Sequence, residues 1–123
     1  MSKSTKELVA EASPQITNYE ASHAASLVRN EDAVFVDVRE ADELISQGKI
    51  PGSVHAPRGL LEFLIDPDSP RHDKFFSQDK EFIFYCAAGP RGVLATKTAQ
   101  EMGLKRVASL TGGFKAWMAW KDT

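Results

Sequence analysis

The sequence predicts an α/β fold, a mainly parallel sheet of about five short strands with helices on both faces. Three observations carry that expectation. The runs Ala33-Val34-Phe35-Val36 and Phe82-Ile83-Phe84-Tyr85 are apolar throughout rather than alternating, which marks strands covered on both sides. Stretches of helical period separate such runs, as in Val93, Leu94, Ala95, Thr98, Ala99 and Met102. Finally, 123 residues, 42% hydrophobic and 26% charged, suit one domain. A chain of that size buries roughly two-thirds of the surface its unfolded form exposes.

Taken in order, Ser4 and Glu7 have capping-box spacing, so a short helix with Leu8, Val9 and Ala12 on one stripe runs until Pro14 stops it. We read residues 1–13 as a helical extension and 14–123 as the main domain. Ile16 is a candidate first strand. Thr17 with Glu20 repeats the capping signal and predicts a helix over about 18–29. The apolar run 33–38 is the next strand, and 40–47 a helix closed by Gly48. After the turn Ile50-Pro51-Gly52, Ser53-Val54-His55 forms one more short strand. Leu60, Leu61, Phe63, Leu64 and Ile65 predict a short helix ended by the polar loop 66–70. Phe75 and Phe76 belong to a brief helix, and 81–85 is the most apolar strand. A helix from about 91 to 102 ends at Gly103, 106–110 is the last strand, and 111–113 a turn. In the closing helix 114–120, Phe114, Trp117 and Trp120 recur at helical intervals as a core stripe.

Composition excludes several functions. Fifteen basic and 17 acidic side chains leave a net charge of -2, with no electrostatic reason to expect nucleic acid or an anionic membrane as a partner. No stretch approaches the roughly 18 to 20 apolar residues of a membrane span, and no apolar run of signal-peptide type follows the first residues. One cysteine forms no internal disulfide, so a reducing, cytoplasmic setting is expected. His23, His55 and His72 lie far apart without metal-ligand spacing, and neither a metal nor a cofactor is expected. The Gly112-Gly113 pair lacks the longer glycine pattern and lysine of a phosphate loop and reads as a turn.

The chemistry concentrates on Cys86. It follows the strand 81–85 and precedes Ala87-Ala88-Gly89-Pro90-Arg91-Gly92, which leads into a helix. Parallel sheets bind ligands at the carboxyl ends of their strands, and Cys86 occupies that place. The amides of a tight loop and the helix N-terminus, equivalent to roughly +0.5 charge, favour a thiolate, the reactive form. The amides of Ala87, Ala88, Gly89, Arg91 and Gly92 can converge on one anionic sulfur, whereas Pro90 has no amide hydrogen.

Four segments in order, Asp37-Val38-Arg39-Glu40, Gly48-Lys49-Ile50-Pro51-Gly52-Ser53-Val54-His55-Ala56-Pro57, Tyr85 to Gly92, and Leu110-Thr111-Gly112-Gly113-Phe114-Lys115-Ala116-Trp117, resemble the single-domain rhodaneses, or thiosulfate sulfurtransferases. The likeness runs from about Ile16 to Trp120. It implies a rhodanese-like three-layer fold and transfer of sulfane sulfur from a small-molecule donor such as thiosulfate to a thiophilic acceptor, a small molecule or a protein. Cys86 would carry the sulfur as a persulfide, with Ala87, Ala88, Gly89, Pro90, Arg91 and Gly92 as the binding loop. Arg91 is expected to bind an anionic donor, and its competing reading is an ion pair at the loop's edge. Asp37, Arg39 and Arg58 are supporting candidates. The bland accounts are a buried brace for Asp37 and Arg39 and a surface charge for Arg58. His55 reads as a structural histidine.

Two departures stand out. Many relatives carry serine or alanine where Gly92 stands, and Ala87 and Ala88 lack the polar side chains found beside the cysteine in some thiosulfate-using members. Thiosulfate could then be a poor substitute for another donor. Among the alternatives, a cysteine phosphatase uses five residues between cysteine and arginine, and here there are four. A non-catalytic or sulfur-carrying interaction module would use the apolar group 60–65 as its surface. A redox-sensing thiol is the third alternative.

Overall fold

The structure, a computed structural model, describes residues 2–122. Helix α1 (Thr5–Ala12) carries the expected capping box: Ser4 Oγ accepts from the Glu7 amide and Glu7 Oε1 accepts from the Ser4 amide. After a short 3₁₀ turn come β1 (Thr17–Tyr19), α2 (Ala21–Ala25), β2 (Ala33–Asp37), α3 (Ala41–Gln47) and β3 (Val54–His55). A 3₁₀ turn at Arg58–Leu60 leads into α4 (Leu61–Ile65), and another at Lys74–Ser77 precedes β4 (Glu81–Tyr85). The chain closes with α5 (Pro90–Glu101), β5 (Val107–Leu110) and α6 (Gly113–Lys121).

The five strands form one sheet in the order β1-β5-β4-β2-β3, and every pairing is parallel. Side chains of the central strands alternate between two apolar layers. Val36, Val38, Phe82, Phe84 and Cys86 pack with Leu61, Ile65, Phe76, Ala95 and Ala99 on one face. Phe35, Ile83 and Tyr85 pack with Ala24, Leu110, Phe114 and Trp117 on the other. Near-continuous apolarity in β2 and β4 follows from this double coverage. The stripe expected in the closing helix holds for Phe114 and Trp117, while Trp120 is exposed.

The helix predicted over 18–29 is shorter, five residues in α2 followed by turns. Thr17, Asn18 and Tyr19 are drawn instead into β1, opposite Ala108, Ser109 and Leu110 of β5. The Ser109 hydroxyl donates to Asn18 Oδ1 at 2.6 Å. Glu20 then stands at the N-cap with no side-chain capping bond. Sheet pairing across the chain has outweighed the local capping signal. Register places Asp37 level with Tyr85 and with His55, so the chain leaves β2, β3 and β4 on one rim of the sheet.

Candidate active site

Cys86 is the first residue beyond β4. The chain turns back over three residues to Gly89, whose φ of 122° is open to glycine and costly for any other residue. Pro90 starts α5 at a position where a missing N–H costs nothing. This geometry aims two amides at one atom. Gly89 N–H donates to Cys86 Sγ at 3.1 Å and Gly92 N–H donates to it at 3.3 Å. Two of the five expected amides thus meet the sulfur. Cys86 is 1% exposed, while Ala88 and Pro90 on the loop's outer rim are exposed.

Gly92 is buried because α5 leans on the end of β4. A Cβ there would lie 3.2 Å from Tyr85 Cα and 3.3 Å from Phe84 O. A larger residue here requires the two backbones to give by a few tenths of an ångström.

A second helix secures the loop from below. The carbonyls of Cys86 and Ala87 accept from the amides of Phe114 at 2.8 Å and Lys115 at 3.0 Å, in the first turn of α6. Those two amides have no partner within their own helix. Gly113 permits the approach: its φ is 62°, and an added Cβ would stand 2.4 Å from Cys86 O and 2.8 Å from Ala87 O. The Gly112-Gly113 pair, read from sequence as a turn, is therefore part of the loop's support.

Arg91 is held by Glu43 of α3. Its Nη1 and Nη2 donate to Glu43 Oε1 and Oε2 at 2.8 and 3.0 Å, with the side chains 40% and 24% exposed respectively. Hydrogen bonding to Arg91 is the chief reason the Glu43 carboxyl is pulled down to about 2. The Arg91 pKa is raised, first by Glu43 and in smaller measure by the charges of Cys86 and Glu40. Sequence reading did not single out Glu43. A signal existed, because Glu40 and Glu43 have capping-box spacing and Glu43 Oε1 also accepts from the Glu40 amide at 3.0 Å.

Asp37 and Arg39 form a fully buried pair at the end of β2. Arg39 Nε and Nη2 donate to Asp37 Oδ1 and Oδ2 at 3.0 and 2.8 Å, and Nη2 also donates to Gly48 O at 2.7 Å. The guanidinium lies over the Phe114 ring, 4.5 Å from its centroid. The pair thus braces the end of β2 against the end of α3 and against α6. His55 Nε2 meets Arg39 O at 2.7 Å, a structural contact. Beside them Tyr85 donates to Ser53 Oγ at 3.0 Å and accepts from Ile50 N–H at 3.2 Å, and burial pushes its phenol up to about 12.

Arg58 turns elsewhere. It donates to Glu62 Oε1 at 2.9 Å and to Thr98 Oγ1 at 3.0 Å. Thr98 lies six residues beyond Gly92 on α5, about 9 Å along the helix from the loop. In the 60–65 segment Leu61 and Ile65 belong to the core, leaving Leu60 and Phe63 as its large exposed apolar side chains. Among the described residues no cluster of three metal-ligating side chains occurs, and no helix is long and apolar enough to cross a membrane.

The chain that carries this loop matches known proteins over most of its length. The rhodanese-like domain family model matches residues 20–119. A mouse protein named thiosulfate sulfurtransferase/rhodanese-like domain-containing protein 3 is 30% identical over 101 residues, 78% of this chain. The match spans 64% of that mouse protein's length. Human thiosulfate:glutathione sulfurtransferase is 27% identical over 99 residues, covering 76% of this chain and 85% of its own. Among solved structures, a Rhodopseudomonas palustris protein described as of unknown function and a possible tyrosine phosphatase aligns with TM-score 0.95 and 45% identity. That alignment covers 98% of this chain and 93% of the other. The chain belongs to the rhodanese-like domain family.

Proposed function

We propose that this protein is a sulfurtransferase in which Cys86 carries a sulfane sulfur. The supporting observation is the convergence of the Gly89 and Gly92 amides on Sγ, because fixed donors stabilise a sulfur that is anionic before and after the reaction. The Cys86 thiolate attacks the outer sulfur of a donor such as thiosulfate. A new S–S bond forms, the bond to the sulfonate sulfur breaks, and its electron pair leaves with sulfite. A thiol or cyanide then attacks the outer sulfur of the persulfide and returns the thiolate. The human relative's name, thiosulfate:glutathione sulfurtransferase, supports a small thiol as acceptor. A thiol that must return to its reduced state each cycle suits the cytoplasm.

The phosphatase reading draws on the description of the Rhodopseudomonas palustris protein. Against it stands the loop length. Four residues between Cys86 and Arg91 leave a narrow ring whose amides already meet at the sulfur, and a phosphoryl group needs donors for three oxygens around that atom.

Exposure to thiosulfate or an organic persulfide, followed by intact mass measurement, tests the sulfurtransferase reading. The wild-type chain gains the mass of one sulfur atom, Cys86→Ser does not, and cyanide removes the gain as thiocyanate. Absence of any gain with both donors overturns the reading, and hydrolysis of an aryl phosphate dependent on Cys86 would put the phosphatase in its place.

A further inference from the structure

Arg91 is the cation that the loop brings closest in sequence to Cys86. A guanidinium recognises an oxyanion by two parallel N–H···O bonds from its two terminal nitrogens. In this chain both nitrogens are taken by the two oxygens of Glu43, at 2.8 and 3.0 Å. Glu43 is itself held in position from a second side, because Oε1 also accepts from the Glu40 amide at 3.0 Å. A carboxylate thus takes the two parallel N–H groups that an oxyanion would need. It stays ionised through the physiological range, so no proton uptake releases Arg91. Ala87 and Ala88 add no charged side chain that would offset it.

We propose that Glu43 is a specificity-determining residue that keeps Arg91 from oxyanion donors and directs the protein toward organic persulfides, R–S–SH, as its sulfur source. The inference rests on the sulfurtransferase reading and names its substrate class. A persulfide presents its outer sulfur without oxygens that require a guanidinium. The step balances: the Cys86 thiolate attacks the outer sulfur, the bond between the two donor sulfurs breaks, the outer sulfur keeps its proton, and R–S⁻ departs with the electron pair. A dianion such as thiosulfate must displace Glu43 or bind beside its charge, and either route weakens binding.

Glu43→Gln tests this, since glutamine keeps a carbonyl oxygen for the Glu40 amide and removes the charge. With glutathione persulfide and thiosulfate as donors, the variant shifts the ratio of kcat/KM toward thiosulfate by about tenfold, mainly through a lower KM for thiosulfate. Calorimetric titration of thiosulfate into Cys86→Ser and into the Cys86→Ser, Glu43→Gln double variant reads the same competition without turnover, and the double variant binds about tenfold tighter. Asp42→Asn is the control, because it removes an equal charge from the same helix at an exposed position. An unchanged donor ratio and unchanged anion affinity in Glu43→Gln overturn the proposal, as does an equal shift in Asp42→Asn, which would make the effect a general field. If Cys86 takes sulfur from neither donor, the sulfurtransferase reading falls and this inference falls with it. Sulfur loading with no response to Glu43→Gln sinks the inference alone.

Discussion

Two arginines of this chain are each gripped by a carboxylate through two nitrogens, and burial divides their roles. Arg39 and Asp37 are sealed between the sheet and α6, and every bond they make ends on the protein itself. Arg91 and Glu43 make the same kind of pair, but its side chains are partly exposed, and Arg91 stands in the first turn of α5, the helix that follows the Cys86 loop. A sealed pair has no ligand to choose and serves as a brace. A pair open to solvent on the rim of the loop can exchange partners, which is what the proposed competition with a donor requires. The chemistry of the pair is alike in both places, and access decides what it does.

Identical carboxylate-to-amide changes separate the two pairs. Asp37→Asn leaves Arg39 charged and uncompensated in the core, which costs about 3–5 kcal/mol, and denaturant unfolding reads the loss. An effect near that of Glu43→Gln, expected below about 1 kcal/mol because that pair is partly exposed, would remove the distinction between brace and rim. The next effect in size tests how the brace reaches the sulfur. Arg39 lies over the Phe114 ring, and the Phe114 amide holds Cys86 O. Gly113→Ala forces a Cβ into that contact and costs about 2–3 kcal/mol. It also slows sulfur loading on Cys86, because the loop must move. Gly103→Ala supplies the reference, with φ 103° and nothing within 4 Å of its added Cβ. Equal losses in the two alanine variants would show that backbone strain alone acts at Gly113, and that the close approach to the loop carries no weight.

The two halves of the site were unequally legible in the sequence. Cys86 and its loop are local: a strand, a turn with Gly89, a proline at a helix start and a helix follow one another in the chain, and four motifs in order marked the family. The α/β class was legible for the same reason, since apolar runs and helical periods are read within windows of a dozen residues. Partners that meet only in the folded chain were not. Glu43 lies 48 residues from Arg91, and its own neighbourhood announces a helix start rather than a partner for a loop. Gly113 looked like a turn because its requirement is set by two carbonyls of another segment. Thr17 with Glu20 has capping spacing, yet pairing with β5, some 90 residues on, makes Thr17 strand. Arg58, a supporting candidate by sequence, bonds to Glu62 and to Thr98 on the flank of α5, and Thr98 meets it only in the folded chain.

The smallest effect separates the rim pair from the brace by acid. Glu43 has its carboxyl lowered from 4.5 to about 2, so the folded state binds its proton more weakly than the unfolded chain does. The stabilisation from this group is therefore complete above the ordinary value of 4.5 and disappears as the pH falls toward about 2. Glutamine has no such proton. The stability difference between wild type and Glu43→Gln, below about 1 kcal/mol near neutrality, closes across that acid window, and denaturant midpoints taken along it follow the closure. Because both oxygens of Glu43 must be free of a proton to hold both nitrogens of Arg91, the same protonation releases the guanidinium. Affinity of the Cys86→Ser chain for sulfate then rises as the pH falls through the window, while the Glu43→Gln, Cys86→Ser chain shows no such rise. A parallel rise in both chains would assign the anion to some other acid-dependent group and would leave the rim pair as closed to ligands as the brace.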